Sequence, residues 1–249
     1  MASCCPTNLG AQPPNEDHVP QGKIVPDIGG LTTYVSGPAT GKRVVLMFED
    51  IFGLSSQLKE GADLLGSHGF TAYAPDFLRG HALPLDSYPP VTPEHKKLVD
   101  EFMTKRISPS LYWVLVEQFL GTIRSIHGDD VKIGIVGYCW GAKVLTTHPF
   151  KGVSGVAMAH PSFLDPLDAR NVLAPVYMIA TSDEDKNAVE GFKREFASSP
   201  FHSQSHFEVF DDMHHGFMAA RADLTNPANR SRFDEGYRKF IGFFETVLA

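Results

Sequence analysis

"GYCWGAK", residues 137–143, places a cysteine between two glycines. The apolar run at 131–136 predicts a buried strand, and a helical pattern follows near 141–149. Cys139 would therefore lie in a tight strand-to-helix turn, with glycines on its flanks because larger side chains would clash. This pattern is typical of a nucleophile elbow, in which the central residue projects into a cleft. The alternative is a buried cysteine that acts as a small apolar residue.

Strand and helix patterns alternate along most of the chain. The strand candidates are 31–37, 43–48, 71–76, 131–137, 153–160, 175–181 and 206–210. Helical spacing recurs near 58–65, 109–127, 141–149, 187–197 and 233–248. The alternation predicts an α/β fold with a mostly parallel sheet and helices on both faces. Ligands are then expected at the carboxyl ends of the strands, where Cys139 falls.

Two stretches of the chain fall outside the alternating pattern. Residues 1–22 are polar and proline-rich and predict a flexible leader, which leaves 23–249 as a single domain. The stretch 80–109 contains five prolines and is the least regular part of that domain. It is interpreted as a lid or long loop over a site.

Composition excludes several classes of partner. The net charge is -7 and the basic residues are scattered, which argues against nucleic acid or an anionic membrane as partner. No apolar run approaches the ~18–20 residues of a membrane span, and the first residues lack a signal-peptide pattern. Three cysteines do not form a disulfide framework, so a cytoplasmic location is expected.

A cysteine nucleophile needs a histidine base, which in turn needs an acid to orient it. In an elbow-type α/β fold the acid and then the histidine follow the nucleophile along the chain. The segment DDMHHGFM (211–218) follows the last strand candidate. His215 is preferred over His214 because the adjacent glycine places it at the tip of the loop.

The acid is expected after the strand PVYMIAT, where the sequence reads SDED (182–185). Spacing does not choose among Asp183, Glu184 and Asp185. Asp183 is slightly preferred because it needs the shortest extension beyond the strand.

The loop after the strand RVVLMF reads EDIFGLS (49–55) and is a second source of site residues. The backbone N–H groups of Ile51 and Trp140 could together hold an oxyanion. Asp50 would point into the same cleft, where its carboxylate could take the thiol proton or repel the thiolate until substrate arrives. The alternative for Asp50 is an acid at a helix start.

The motifs FEDIFG, APDFLRG, GYCWGAK and HHGF, in this order and spacing, resemble the dienelactone hydrolase family of the α/β-hydrolase fold. The resemblance runs from about residue 24 to the C-terminus, and GYCWG is its most specific mark. It implies hydrolysis of lactones or small activated esters by a Cys–His–Asp triad. It also implies that His215 is the base and that Asp50 controls the proton of the cysteine. The SCCP start, with Cys4 and Cys5, is similar to that of eukaryotic members.

Two positions depart from the family pattern. The family acid lies nine residues after a proline that starts the strand, which from Pro175 is Glu184, flanked by two aspartates. Bacterial members carry a substrate-binding arginine four residues after the histidine, where this chain has Ala219 and the first arginine is Arg221. The other basic candidates for that role are Arg79, Lys96 and Lys97.

These observations predict a hydrolase that cleaves an ester or lactone through an acyl-Cys139 intermediate, with no metal or organic cofactor. The expected partner is a small-molecule ester or lactone, and the protein is expected to be a monomer or small homo-oligomer. One alternative is a general carboxylesterase or thioesterase that uses the same residues. The other is a non-catalytic relative that binds a ligand.

Overall fold

An eight-stranded sheet runs through the centre of the computed structural model, which describes residues 9–249 and therefore not Cys4 or Cys5. The strands are β1 (Lys23–Ile28), β2 (Leu31–Ser36), β3 (Arg43–Phe48), β4 (Thr71–Pro75), β5 (Lys132–Tyr138), β6 (Gly155–Ala159), β7 (Val176–Thr181) and β8 (His206–Phe210). They lie in the order β1-β2-β4-β3-β5-β6-β7-β8. Strands β1 and β2 pair antiparallel with their neighbours, and all other pairs are parallel.

Six α-helices of the described residues accompany the sheet. They are α1 (Ser56–Ser67), α2 (Pro93–Lys105), α3 (Trp113–His127), α4 (Trp140–Thr146), α5 (Lys186–Phe196) and α6 (Pro227–Val247). The apolar residues of α3, α4 and α5 form one hydrophobic core with the sheet, and those of α1 and α6 form a second core. The prediction of a mostly parallel sheet with helices on both faces is thus confirmed.

Strand β3 shows why the central strands read as continuous apolar runs. Val44, Leu46 and Phe48 belong to the first core, whereas Val45 and Met47 belong to the second. Successive side chains of a strand point to opposite faces, so a strand covered on both sides needs apolar residues at every position.

Two regions differ from the expectations. Strand β1 was not predicted, and it lies at the edge of the sheet with an exposed or half-exposed side chain at every position. The stretch 80–109 is not simply a long loop, because it contains α2. Most of this helix is exposed, and Phe102 is its buried residue.

Residues 9–22, the described part of the predicted flexible leader, lie against the domain. The Gln12 N–H donates to the Ala220 carbonyl at 2.8 Å, and the Gln57 side chain donates to the Gln12 carbonyl at 3.2 Å. The Gln21 N–H donates to the buried carboxylate of Asp63 at 2.9 Å. These hydrogen bonds hold the leader across α1 and the loop that follows His215.

Within residues 9–249, no helix combines the length and the apolar character that crossing a membrane requires.

Candidate active site

The turn at Cys139 has the geometry of a nucleophile elbow. Cys139 is fully buried and has φ of 54°, a left-handed conformation that is costly for a residue with a side chain. A Cβ on Gly137 would lie 2.6 Å from the Ala142 nitrogen, and one on Gly141 would lie 2.5 Å from the Glu49 carbonyl oxygen. Both contacts are too short for a carbon atom, so the two glycines are required for β3, β5 and α4 to approach one another.

A chain of hydrogen bonds runs from the thiol to a carboxylate. The Cys139 Sγ lies 3.1 Å from the Ser162 hydroxyl, which lies 3.4 Å from His215 Nε2. His215 Nδ1 donates to Glu184 Oε1 at 2.7 Å. All four side chains are buried. They come from the ends of β5, β6, β8 and β7, which are neighbours in the sheet.

Of the three candidate acids, the structure places Glu184, rather than the slightly preferred Asp183, beside the imidazole. One carboxylate oxygen of Glu184 accepts a hydrogen bond from the imidazole, and the other accepts from the Thr181 N–H. Asp183 accepts the backbone N–H of His215 at 2.8 Å instead of the ring. Asp185 is the N-cap of α5, where it accepts the Asn187 N–H at 2.8 Å. The longer side chain of Glu184 lets it reach back to the ring from the middle of the turn.

The two neighbouring histidines have different surroundings in the structure. His215 is fully buried between Ser162 and Glu184. His214 is bound to the carbonyl of Arg221 at 3.1 Å, and burial lowers the pKa of its ring. His215 is therefore placed to exchange protons with the thiol, and its catalytic role stays a prediction.

Asp50 lies in the same buried region. One carboxylate oxygen accepts the Phe52 N–H at 2.8 Å, and the other accepts the Ala220 N–H at 3.1 Å. Burial raises the pKa of Asp50 to about 6, and the nearby Cys139 adds to the rise, whereas Arg221 opposes it. The carboxylate is therefore close enough to the thiol for each to disfavour the negative charge of the other.

The two predicted oxyanion donors lie at the same edge of the sheet. Trp140 is the first residue of α4, so its N–H has no acceptor within the helix. Ile51 follows Asp50 in the turn after β3 and is buried. Among the residues described, neither N–H donates to a backbone carbonyl. Both remain candidates to bind an oxyanion.

The basic candidates for substrate binding are spread apart. Arg221 is fully buried, stacks over the rings of Phe52 and Tyr88 at 4.8 and 4.9 Å, and donates from Nε to the Leu9 carbonyl at 2.7 Å. Its charge acts on Asp50. In contrast, Arg79, Lys96 and Lys97 are exposed, on the turn after β4 and on α2.

Sequence reasoning missed two residues after β6. Ser162 touches both the thiol and the imidazole. The ring of His160 is fully buried, with its centroid 5.1 Å from that of His215. Burial, followed by the proximity of His215, lowers the pKa of His160 well below its usual range, so this ring is neutral at neutral pH. Their position in AHPSF, at the end of a predicted parallel strand, was the signal that could have identified them.

A cleft of about 730 Å³ opens beside this chain of hydrogen bonds. Ser162 and Glu184 lie in its wall, next to the apolar residues Phe163 and Leu164. Lys143 also lines the cleft, but its amine is paired with Asp168 at 2.6 Å. The cleft is large enough for a small organic molecule and is adjacent to the buried groups described above.

Comparisons with known proteins agree with the fold described above. The family model described as "Dienelactone hydrolase family" matches residues 31–248. An uncharacterized AIM2 family protein of Schizosaccharomyces pombe is 49% identical over the full length of both chains. "Dienlactone hydrolase 1" of Gibberella moniliformis is 29% identical, over 92% of this chain and 89% of that protein. The crystal structure of dienelactone hydrolase from Anabaena variabilis superposes with a TM-score of 0.60 at 14% identity, covering 93% of this chain and 100% of that one.

Proposed function

Because the chain belongs to the dienelactone hydrolase family, we propose that it hydrolyses a lactone or a small activated ester through an acyl-Cys139 intermediate. The observation that carries this proposal is the buried series of hydrogen bonds from Cys139 through Ser162 and His215 to Glu184. A nucleophile, a base and an orienting acid are the parts that acyl transfer requires.

The proposed reaction begins with transfer of the thiol proton to His215 Nε2. Glu184 accepts a hydrogen bond from Nδ1, which leaves Nε2 as the basic nitrogen and stabilises the imidazolium that forms. The thiolate attacks the carbonyl carbon, and the N–H groups of Trp140 and Ile51 bind the oxyanion. The imidazolium returns its proton to the departing alkoxide, which in a lactone stays tethered to the acyl group. His215 then activates a water molecule that hydrolyses the thioester and regenerates the thiol.

The charges around the cleft favour a neutral substrate over one with a carboxylate. Asp165, Asp183 and Asp185 line the cleft, whereas the one lysine in its lining is already paired with Asp168. The buried Arg221 acts on the carboxylate of Asp50. We therefore expect neutral esters and lactones to be better substrates than analogues of the same size with a carboxylate.

Replacement of the nucleophile tests the proposed function. Cys139→Ala should lower kcat on lactones and p-nitrophenyl esters by roughly 10⁴–10⁶-fold with the fold intact. His215→Gln should also remove most activity, whereas His214→Gln is the matched control because its ring binds a backbone carbonyl. Circular dichroism checks folding, and intact-protein mass spectrometry checks for an acyl group on the parent enzyme. Activity of Cys139→Ala within about tenfold of the parent would reject the acyl-cysteine mechanism.

A further inference from the structure

The hydroxyl of Ser162 lies between the nucleophile and the base of the proposed reaction. It is 3.1 Å from Cys139 Sγ and 3.4 Å from His215 Nε2. The side chain is almost completely buried. The second distance is long for a hydrogen bond, but catalytic hydrogen bonds often tighten only when substrate binds.

The backbone around Ser162 fixes this position from both sides. The Ser162 N–H donates to the carbonyl of Cys139 at 3.0 Å, and the Cys139 N–H donates to the carbonyl of Ala159 at 3.1 Å. The loop after β6 and the elbow are therefore joined by reciprocal hydrogen bonds. Ser162 can move relative to the thiol only if this connection breaks.

The same loop contains two strained residues. His160 and Phe163 have φ of 40° and 51°, in the left-handed region that residues with side chains rarely adopt. Such a conformation is strained and persists only where the surrounding structure imposes it. The strain directs the short segment at 160–163 across the end of β5, which brings the hydroxyl to the thiol.

We propose that Ser162 is a further catalytic residue that relays the proton from Cys139 to His215, a role that rests on the proposed acyl-cysteine function. The Cys139 S–H donates to the serine oxygen while the serine O–H donates to Nε2. When the serine proton moves to Nε2, the thiol proton moves to the serine oxygen. One S–H and one O–H bond break, one N–H and one O–H bond form, and the hydroxyl is restored beside a thiolate and an imidazolium.

Alkylation of Cys139 tests the relay without knowledge of the substrate. The second-order rate of iodoacetamide labelling of Cys139, measured by peptide mass spectrometry from pH 5 to 10, reports how readily the thiolate forms. Ser162→Ala should shift this pH profile to higher pH and lower the rate at pH 7 by roughly 10–100-fold. Ser162→Thr keeps a hydroxyl and should restore most of the rate.

Ser182→Ala is the matched control. Its hydroxyl donates to the Met213 carbonyl at 3.0 Å, so it links the loops of the acid and the histidine without touching the sulfur or Nε2. This variant should leave the alkylation profile unchanged. If Ser162→Ala keeps the parent profile, or if Ser162→Ala and Ser162→Thr are impaired equally, the hydroxyl does not stabilise the thiolate and imidazolium that the relay forms, and the relay is rejected in that form.

A measurement on the parent enzyme covers the case in which Ser162→Ala fails to fold. The acylation rate in mixtures of H₂O and D₂O should fall along a curve that lies below the straight line between the two pure solvents, as expected for two protons that move together. A linear dependence indicates one proton in transfer and would overturn the relay. Activity in Cys139→Ala would instead reject the proposed function itself, so the two failures are distinguishable.

Discussion

At the scale of single residues, the acidic run after β7 shows three different uses of a carboxylate. Asp183 binds a backbone N–H of the histidine loop, Glu184 binds the imidazole, and Asp185 caps α5. The turn sends the three side chains in different directions, so their neighbours rather than their charge determine their roles. Replacing each carboxylate by its amide separates these roles.

Glu184→Gln should lower kcat by roughly 10²–10⁴-fold. The amide has one acceptor oxygen, whereas Glu184 accepts from both the Thr181 N–H and His215 Nδ1. The amide can also stabilise the wrong tautomer of the imidazole. Asp183→Asn retains an acceptor for the His215 N–H and should stay within about tenfold of the parent. Asp185→Asn retains a good N-cap and should be nearly unchanged. Steady-state kinetics on one activated ester compares the three. A larger loss in Asp183→Asn than in Glu184→Gln would contradict this assignment.

The pKa of about 6 for Asp50 gives a pH-dependent prediction. Above about pH 7 the ionised carboxylate disfavours the Cys139 thiolate, so Asp50→Asn should be alkylated faster than the parent, by about tenfold for each unit by which the thiol pKa falls. Below about pH 5 the parent carboxylate is protonated, the repulsion is lost, and the two rates should converge. If Asp50 also accepts a proton during the reaction, turnover of the variant should fall above about pH 6, where the parent carboxylate is ionised, and should approach that of the parent at lower pH.

The measurement is a pair of pH series, one of iodoacetamide labelling and one of kcat. Thermal unfolding serves as the control, since an asparagine cannot accept from both N–H groups that bind Asp50. Slower labelling of a folded Asp50→Asn at pH 8 would show that the carboxylate does not suppress the thiolate.

The sequence was sufficient to propose Cys139 and His215 as candidates, because an elbow and a loop histidine have local signatures. It was not sufficient for Glu184 or Ser162. The choice among 183–185 depends on side-chain directions in a turn that no periodic pattern encodes. Ser162 lies beside Cys139 because β6 is next to β5 in the sheet, a tertiary relation that adjacent residues do not report.

At the scale of elements, the close approach of α4 to β3 is what brings two loops to one site. Gly141, in the first turn of α4, lies against the carbonyl groups of Phe48 and Glu49 at the end of β3. Strand β3 continues directly into Asp50 and Ile51, so this contact sets the distance between the cysteine and its predicted oxyanion donor.

Gly141→Ala should disrupt this contact, because the new Cβ would lie 2.5 Å from the Glu49 oxygen and 2.6 Å from the Phe48 oxygen. Forced separation of packed elements typically costs about 1–3 kcal/mol, so we expect a lower Tm and a larger relative loss of kcat. Gly242→Ala in α6 is the matched control, since a Cβ there meets nothing within 4 Å. An equal Tm and activity in both variants would show that the contact does not control the site.

The elements that were predicted correctly have strong patterns of their own. Strand β3 is apolar at every position and α6 carries a long apolar stripe, so both could be identified before any tertiary structure was known. Strand β1 and helix α2 are largely exposed, and each has few or no residues buried in a core. Their formation depends on pairing and packing with other parts of the chain.

At the scale of the whole molecule, five adjacent parallel strands each contribute one part of the site. In spatial order these are Asp50 with Ile51 after β3, Cys139 after β5, Ser162 after β6, Glu184 after β7 and His215 after β8. The carboxyl ends of parallel strands lie at one edge of the sheet, so residues that are far apart in sequence come close together there. The order along the sheet also explains why Ser162 lies between the sulfur and the imidazole.

The leader has a practical consequence for work with the purified protein. The carbonyl of Leu9 accepts a hydrogen bond from the guanidinium of Arg221, and the charge of Arg221 acts on Asp50. The N–H of Gln12 donates to the carbonyl of Ala220, and the N–H of Ala220 donates to the Asp50 carboxylate. An affinity tag or a surface attachment close upstream of Leu9 would disturb these hydrogen bonds and alter the electrostatics of the thiol. A tag after the exposed Ala249, which follows α6, avoids that disturbance. Labelling rates and kinetics from the two kinds of fusion are therefore not interchangeable.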